Sequence, residues 1–372
     1  MSTESRNWTH TGYAQRIIFG PDCLDRAAEV VREAGGRRVM LVTTTGRRDS
    51  AAGQRLSEIL GRLLVTVFDG VRSHVPTEAV QRALKQAEAT DVDAVVSFGG
   101  GSCADLAKAV CFFTEQRAGR PGTTYVDTPA VTHVAIPTTY SGAELTPFFG
   151  MTDEGARRKS GAGGPTIAPR AAIYDPIVTL TTPVRVAAET GMNALAHGVE
   201  CAYSPARTPE AEALALSTVQ RVSAALPRVV DDPSDLAART AMLEGAVLGG
   251  RCLQNATMGV HHGLAQLLGG RTGMAHGLAN GILLAHALRW NAEAVPDEAR
   301  RIGEALADPD DPAGAVDRLR QRVGLPGRLS DVGVTVEDVD AVARMSDGNP
   351  NVGRNPRPVS PDDARAILEA AF

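Results

Sequence analysis

Asn193 and His197 lie four residues apart in the segment ETGMNALAHGVECAY, which covers residues 189–203. Four residues is close to one turn of an α-helix, so the two polar side chains would share one face among small and apolar neighbours. A pair at this spacing could hold a metal ion, but the neutral amide of Asn193 is a weak ligand where metal sites normally have a carboxylate. The segment therefore predicts either a metal site or the geometry of one, kept for other chemistry.

Three further histidines, His261, His262 and His276, occur in the segment GVHHGLAQLLGGRTGMAHGLANG. His262 and His276 are fourteen residues apart, and the intervening GGRTG is expected to separate two helices. Together with His197 they offer three imidazoles, enough for a catalytic metal if the fold brings them together. The alternative is that they are packed or surface residues. The histidines without a comparable context are predicted to be structural: His10, His74, His133 and His286.

A glycine-rich turn, GGGS at residues 99–102, stands between the apolar run DAVVSF and the helical pattern ADLAKAV. Glycines let backbone N–H groups approach a ligand, and a helix N-terminus adds partial positive charge. We therefore predict phosphate binding by Gly99, Gly100, Gly101 and Ser102. A plain structural turn is the alternative, and the segment is not the G-x-G-x-x-G fingerprint of an ordinary Rossmann domain.

A second polar segment follows an apolar strand in AIPTTYSGAELTP. Thr138, Thr139 and Tyr140 come directly after the strand. Open α/β sheets bind ligands at the carboxyl ends of their strands, so these three residues are predicted to line a ligand site. The alternative is that the threonines only cap a helix or a loop.

The first half of the chain alternates short apolar or β-branched runs with helical patterns. The predicted strands are RRVMLVTTT, LLVTVFDGV, DAVVSF and VTHVAIPTT, and the predicted helices are AAGQRLSEILGRL, TEAVQRALKQAEAT and ADLAKAVCFFTEQ. This alternation is typical of a parallel sheet covered by helices on both faces. From about residue 180 helical periodicity replaces the β-rich runs. We therefore predict an α/β domain at 1–179 and an all-helical domain at 180–372.

Composition excludes several classes of protein. The 372-residue chain has a formal net charge of −5, which argues against nucleic acid or an anionic membrane as a partner. It has no run of about 18 apolar residues, and MSTESRNWTH lacks the pattern of a secretory signal. A cytoplasmic protein is therefore expected. The five cysteines are scattered without a C-x-x-C pair, which predicts reduced structural thiols.

Five motifs in this order resemble the iron-containing alcohol dehydrogenase superfamily and, within it, the maleylacetate reductases. The motifs are FGGGSCADLAKA, AIPTTYSGAELTP, GMNALAHGVE, GVHHGLAQLLGG and NPRPVSPDDARAILEAAF, and the resemblance covers nearly the whole chain. It implies a dehydroquinate synthase-like fold, in which an N-terminal dinucleotide-binding α/β domain precedes an all-helical C-terminal domain. It also implies an active site in the cleft between the domains and a homodimer.

The resemblance also implies roles for the polar residues. Metal-dependent members of the superfamily bind their ion with one Asp and three His, and these positions fall here on Asn193, His197, His262 and His276. The maleylacetate reductases likewise have Asn and work without metal. The implied reaction is the NADH- or NADPH-dependent reduction of maleylacetate to 3-oxoadipate, with those four residues and Tyr140 catalytic and no metal. Protonated imidazoles would bind the dianionic substrate, with Arg271 as a helper.

Cofactor contacts follow from the same resemblance. Thr44 stands where NAD-preferring relatives have an Asp, so no carboxylate would repel a 2′-phosphate. Because Arg47 and Arg48 are close in sequence, NADPH is expected to be accepted alongside NADH. Lys159 matches a lysine that contacts the cofactor in relatives, although a solvated surface charge is the alternative. The predicted cofactor-binding set is Thr44, Gly99, Gly100, Gly101, Ser102, Asp105, Thr138, Thr139 and Lys159.

Two departures keep other functions open. Gly263 and Gln266 replace a Lys and a His of the reductase pattern, and GMAHGLANG is closer to the dehydrogenase form. The substrate could then be a related unsaturated keto-acid. The alternatives are a metal-dependent alcohol or aldehyde dehydrogenase using Fe or Zn, and a nucleotide-binding protein that has lost catalysis.

Overall fold

The computed structural model describes residues 7–156 and 158–372. Eight strands are present in this part of the chain: β1 (Arg16–Phe19), β2 (Val39–Val42), β3 (Leu64–Phe68), β4 (Ala94–Gly99), β5 (Thr132–Pro137), β6 (Phe148–Asp153), β7 (Arg158–Gly163) and β8 (Ala171–Tyr174). The helices of the same half are α1 (Ala27–Glu33), α2 (Thr45–Arg48), α3 (Ala51–Leu60), α4 (Thr77–Ala89), α5 (Gly101–Arg117) and α6 (Pro176–Thr179).

Six of the strands form one parallel sheet in the order β1-β8-β5-β4-β2-β3. Successive side chains of β4 point to opposite faces of the sheet. Val95 packs in the cluster of α4 and α5, whereas Val96 packs in the cluster of α1 and α3. The predicted parallel sheet covered on both faces is confirmed.

The strands β1, β8, β6 and β7 were not predicted from the sequence. β1 and β8 are only four residues long, and each pairs with few residues of its neighbours. β6 and β7 form a separate antiparallel hairpin, and β7, with the sequence RKSGAG, has no apolar alternation to reveal it. The hairpin reaches from α5 to the helical half of the molecule.

Every described element after β8 is helical. The helices are α7 (Val184–Tyr203), α8 (Pro209–Asp231), α9 (Leu236–Cys252), α10 (Val260–Thr272), α11 (His276–Ala292), α12 (Pro296–Ala305), α13 (Pro312–Arg322), α14 (Val336–Met345) and α15 (Pro361–Ala370). The predicted fold class, an α/β part followed by an all-helical part, is therefore confirmed. Among the described helices, none has the length and apolar character needed to cross a bilayer.

Helix α7 is the centre of the helical half, where it contacts α8, α9 and α11. Nearly every residue from Ala187 to Tyr203 is buried, including its polar side chains. Such residues have to find hydrogen bonds within the protein, which fixes their orientation. The predicted break between His262 and His276 is confirmed, because α10 ends before Gly273, which is left-handed with φ of 74°, and α11 begins at His276.

One apolar cluster joins the two halves. Leu145 and Tyr174 of the α/β half pack with side chains of α7, α8 and α9. The five cysteines are free and buried, as the sequence predicted.

Candidate active site

Three imidazoles converge where α10 and α11 approach α7. The rings of His197 and His262 stack with centroids 5.0 Å apart and planes 20° apart. The ring of His276, the first residue of α11, lies 5.7 Å from that of His262 and is tilted by 57°. Three residues from three helices, up to 79 positions apart in the chain, therefore form one cluster.

The amide of Asn193 is held from two sides. Its Nδ2 donates to the carbonyl of Ser141 at 3.3 Å, in the segment after β5. Its Oδ1 accepts from Nδ2 of Asn280 at 2.6 Å, four residues into α11 after His276. The amide can make both bonds at once because it is donor and acceptor, whereas a carboxylate could only accept.

Glu200 is completely buried and organises α10. One of its oxygens accepts from the backbone N–H of Gly259 at 3.0 Å. The other accepts from the backbone N–H of His262 at 3.2 Å and pairs with Nδ1 of the same residue. Although burial alone would raise the pKa of Glu200, the neighbouring imidazoles hold it below its usual range. The carboxylate thus places the Nδ1 proton of His262 on its own side and directs Nε2 away from itself.

The three clustered imidazoles each have a buried nitrogen without a hydrogen-bond partner among the described residues. These atoms are Nδ1 of His197, Nε2 of His262 and Nδ1 of His276. Burial lowers the pKa of all three imidazoles. The charge of His262 lowers the pKa of His197 and His276 further, whereas Glu200 partly offsets the effect of burial on His262. They are therefore neutral in the free protein near pH 7, which differs from the expectation of protonated imidazoles.

The donor set beside the clustered imidazoles offers the amide of Asn193 where the metal-dependent pattern has a carboxylate. In the described part of the chain, one group of three His, Cys, Asp or Glu side chains has its ligand atoms within 4.8 Å of one another. It consists of Glu200, His261 and His262. His197 and His276 are outside it. Those three side chains already bond to one another and to backbone. At the position where the metal-dependent pattern has Asp, the Oδ1 of Asn193 is neutral and already accepts a hydrogen bond from Asn280.

The predicted phosphate turn and the predicted strand-end segment contact each other. Gly99 ends β4 with φ of 151°, and a Cβ there would lie 2.5 Å from Sγ of Cys103. A Cβ on Gly100 would lie 3.2 Å from Cγ2 of Thr139, and one on Gly101 would lie 3.1 Å from Oγ of Ser141. Ser102 follows in the first turn of α5. A side chain at Gly100 or Gly101 would crowd the strand-end segment, and one at Gly99 would collide with Cys103 of α5.

Thr138 and Thr139 have buried hydroxyls without a hydrogen-bond partner among the described residues. The backbone carbonyl of Thr138 accepts from Oγ1 of Thr182 at 2.6 Å, in the connection to α7. Tyr140 is oriented differently, because its hydroxyl accepts from Arg239 at 3.3 Å and lies within the apolar core. Among the described residues no hydrogen bond or ring contact joins Tyr140 to an imidazole, so its catalytic role stays a prediction.

The remaining predicted cofactor residues are spread along the same edge. Thr44 follows β2, next to β4 in the sheet, and caps α2 by accepting from the backbone N–H of Arg47. Asp105 of α5 pairs with Nζ of Lys108 at 2.8 Å and accepts from the backbone N–H of Gly150 at 3.3 Å.

Lys159 lies on β7, between α5 and the imidazoles. Its charge lowers the pKa of His262 and His276, and the charge of Asp105 acts on Lys159 itself. Burial lowers the pKa of Lys159, and in the described part of the chain no carboxylate oxygen lies within 4.0 Å of its Nζ. A cation that is partly buried and has no ion pair among the described residues therefore lies near His262 and His276. It does not have the setting of a solvated surface charge.

The two departures from the reductase pattern face a loop. A Cβ on Gly263 would lie 2.6 Å from Cγ2 of Val352, and Gln266 accepts from Nδ2 of Asn351 at 3.1 Å. The loop therefore fills the space that a side chain at position 263 would need. Arg271, expected to help bind the substrate, instead pairs with Asp338 at 2.8 Å.

Sequence reasoning missed Glu200 and Asn280. Both could have been found by helical spacing, because Glu200 is three residues after His197 and Asn280 is four residues after His276. Nothing in the local sequence indicated that a carboxylate on α7 would bond to the ring nitrogen of a histidine 62 residues later.

Comparison with known proteins identifies the same family as the sequence motifs. Residues 14–176 match the family described as "Iron-containing alcohol dehydrogenase", and residues 187–372 match "Fe-containing alcohol dehydrogenase family, C-terminal". The chain is 34% identical to maleylacetate reductase 1 of Rhodococcus opacus over 372 residues, which is 100% of this chain and 98% of that protein. It is also 34% identical to the maleylacetate reductase of Pseudomonas knackmussii over 98% of each. The crystal structure of maleylacetate reductase from Rhizobium sp. strain MTP-10005 is similar with a TM-score of 0.86 at 33% identity, covering 98% of both chains.

Proposed function

Since the chain belongs to the iron-containing alcohol dehydrogenase family and is an NAD(P)-dependent oxidoreductase, we propose that it reduces maleylacetate to 3-oxoadipate without a metal ion. The observation that carries this proposal is the hydrogen-bonded amide of Asn193 beside three imidazoles with unpartnered nitrogens. Such a site offers hydrogen bonds and protons, which are what the reduction of a conjugated ketone requires.

The residues at the edge of the sheet fit a dinucleotide. The glycine turn at 99–101 brings backbone close to a ligand, and α5, a helix of 17 residues, begins there with its N–H groups. The unpartnered hydroxyls of Thr138 and Thr139 are on the next strand end. A bound dihydronicotinamide supplies hydride to the alkene carbon β to the ketone. We propose that NADH and NADPH both serve, since Thr44 presents no carboxylate to a 2′-phosphate.

The imidazoles would then act on the ketone. As hydride adds, the electron pair of the alkene would move toward the ketone oxygen. The α carbon would then take a proton from an imidazole N–H, which regains it from water. Because His262 keeps its Nδ1 proton against Glu200, its Nε2 is an acceptor, whereas Nδ1 of His197 and of His276 can donate. We assign these two donors to the developing oxygen charge. Their burial strengthens the interaction, because little water competes for them.

The charge of the substrate would be met by Lys159 rather than by the imidazoles. Maleylacetate carries two carboxylates, and the clustered histidines are neutral. Lys159 is a cation without a described ion-pair partner whose charge acts on His262 and His276. A dianion beside it would also raise the pKa of the imidazoles and so favour proton delivery.

The test of this function is turnover by metal-depleted protein. Protein treated with a chelator is mixed with maleylacetate and either NADH or NADPH, and oxidation of the nicotinamide is followed by absorbance. We expect full activity and formation of 3-oxoadipate. Activity that disappears with chelator and returns with Fe²⁺ or Zn²⁺ would instead identify a metal-dependent dehydrogenase. Cofactor binding without turnover of any enone, ketone or aldehyde would identify a protein that has lost catalysis.

We also propose that the chain forms a homodimer. Among the described strands, β1 lies at the edge of the sheet and pairs only with β8, and its Phe19 is 37% exposed. Open strand edges with exposed apolar side chains favour association with another copy. Light scattering on the purified protein should give twice the mass of the 39.0 kDa chain, and a mass of one chain would contradict the proposal.

A further inference from the structure

Helix α2 carries two adjacent arginines with different surroundings. Arg48 pairs with Asp49 at 2.7 Å and also with Asp69. Arg47 has no carboxylate oxygen within 4.0 Å among the described residues. Its two terminal nitrogens donate instead to the hydroxyls of Thr181 at 2.6 Å and Thr182 at 2.8 Å. Of these two arginines, Arg47 alone has no carboxylate partner among the described residues.

The guanidinium of Arg47 lies at the cofactor edge of the sheet. Its helix follows β2, the neighbour of β4, and parallel strands end at the same edge. Thr182, which accepts from Arg47, also donates to the carbonyl of Thr138 at the end of β5. On the other side, the charge of Arg47 reaches Cys103, whose Sγ lies beneath Gly99. Arg47 thus lies close to both the glycine turn at 99–101 and the end of β5 at Thr138.

A second arginine adds positive charge at the same place. Arg239 is completely buried, and it too has no carboxylate oxygen within 4.0 Å in the described part of the chain. It donates to three neutral oxygens, those of Pro233, Tyr140 and the carbonyl of Thr182. Two guanidinium groups therefore bond to Thr182, and neither has a carboxylate partner among the described residues. Burying positive charge without a negative partner is unfavourable, and a bound anion would relieve that cost.

We propose that Arg47 binds a phosphate group of the NAD(P) cofactor, oriented for it by Thr181 and Thr182. A guanidinium offers five N–H donors in a fixed plane, so two can be held by the threonines while others face phosphate oxygens. Burial lowers the pKa of Arg47, in agreement with a cation that lacks its anion. The inference rests on the use of NAD(P) and is independent of the substrate proposed above.

The proposal is tested by binding, without turnover. Dissociation constants of ADP and of 2′,5′-ADP are measured by calorimetry, and those of NADH and NADPH by fluorescence, for the wild type, Arg47→Met and Arg48→Met. Arg48→Met is the matched control, since it removes a neighbouring arginine that already has carboxylate partners. We expect Arg47→Met to weaken binding at least tenfold and Arg48→Met less than twofold.

The set of ligands that bind Arg47→Met more weakly identifies which phosphate of the cofactor Arg47 contacts. Equal weakening of ADP and 2′,5′-ADP places Arg47 on the pyrophosphate, and a loss confined to 2′,5′-ADP and NADPH places it on the 2′-phosphate. If Arg47→Met binds all four within twofold of the wild type, the proposal is wrong, whether or not maleylacetate is reduced. For a variant that does not fold, phenylglyoxal labelling of the wild type gives the answer: ADP should protect Arg47, and equal labelling with and without ADP would overturn the proposal.

Discussion

Asn280 donates from its side-chain amide to the Oδ1 of Asn193 across 2.6 Å, and Asn193 donates onward to the carbonyl of Ser141. This chain of amides links α11, α7 and the segment after β5. A carboxylate at position 193 would keep the bond from Asn280 but would lose the bond to Ser141, because it has no N–H to give. The amide therefore connects the two halves of the molecule beside the imidazoles.

Replacing Asn193 with Asp should create a metal site. The new carboxylate would add a negative charge beside three imidazoles whose free nitrogens can bind a cation. We expect Asn193→Asp to bind Zn²⁺ at least tenfold more tightly than the wild type, measured by calorimetry and by elemental analysis after dialysis. Asn280→Asp, which changes the partner amide, is the control. Equal Zn²⁺ binding by wild type and Asn193→Asp would show that the imidazoles cannot converge on an ion.

Glu200→Gln should reduce turnover more than it reduces cofactor binding. The neutral side chain keeps the size of Glu200 but no longer fixes the Nδ1 proton of His262 by charge. Loss of the outer hydrogen-bond partner of a metal-ligating histidine typically lowers activity by about 10- to 100-fold, and we use the same range for the carboxylate that orients His262. We expect kcat for maleylacetate to fall in that range while the Kd of NADH changes less than threefold. The control is Glu189→Gln on the same helix, where the carboxylate pairs with Arg185 at 2.9 Å. A loss of the same size in Glu189→Gln would contradict the assignment.

Buried His133 should make the protein less stable in acid. Burial lowers the pKa of His133 from 6.5 to about 3. The unfolded chain therefore binds a proton that the folded protein excludes, so stability is present above pH 6.5 and declines as pH falls toward 3. One such group lowers the free energy of unfolding by about 2 kcal/mol between neutral pH and pH 5.

This effect can be measured by urea unfolding at several pH values. His133→Gln should show a smaller decline of unfolding free energy below pH 6.5 than the wild type, whatever its stability at pH 7. Parallel curves for wild type and His133→Gln would mean that His133 is not kept neutral by burial.

Gly99→Ala should weaken nucleotide binding. The added Cβ would meet Sγ of Cys103 at 2.5 Å, and φ of 151° is unfavourable for alanine. We expect the Kd of NADPH to rise at least tenfold, with a loss of stability of about 1–3 kcal/mol from backbone strain. Gly353→Ala, where a Cβ would have nothing within 4 Å, is the control and should match the wild type. Unchanged NADPH binding by a folded Gly99→Ala would exclude the turn from the cofactor site.

Local spacing was enough to predict much of the fold and part of the site. Asn193 and His197 share a face of α7 because their separation is close to one turn, and Gly99 to Gly101 stand where a strand passes into a helix. These features depend on neighbours in sequence. The parallel order of β2, β4 and β5 also follows from alternation of strands and helices.

Features set by distant packing could not be predicted in this way. The hydroxyl of Tyr140 follows a strand end, yet it is turned into the core by Arg239, a residue 99 positions later. Arg47 and Arg48 are equivalent in the sequence, and only the three-dimensional surroundings decide which one has a carboxylate partner. The protonation of His197 likewise depends on burial by helices that no local pattern reveals.

Because Gly263 packs against Val352, the residue that can occupy one of these positions depends on the residue at the other. A mutation that gives residue 263 a side chain would place its Cβ 2.6 Å from Val352 and would be selected against while that valine is present. Only after residue 352 has become smaller would a long cationic side chain at 263 be tolerated. The order in which such mutations can accumulate is thus restricted, and Gly263→Lys alone should fail to fold where Gly263→Lys combined with Val352→Ala succeeds.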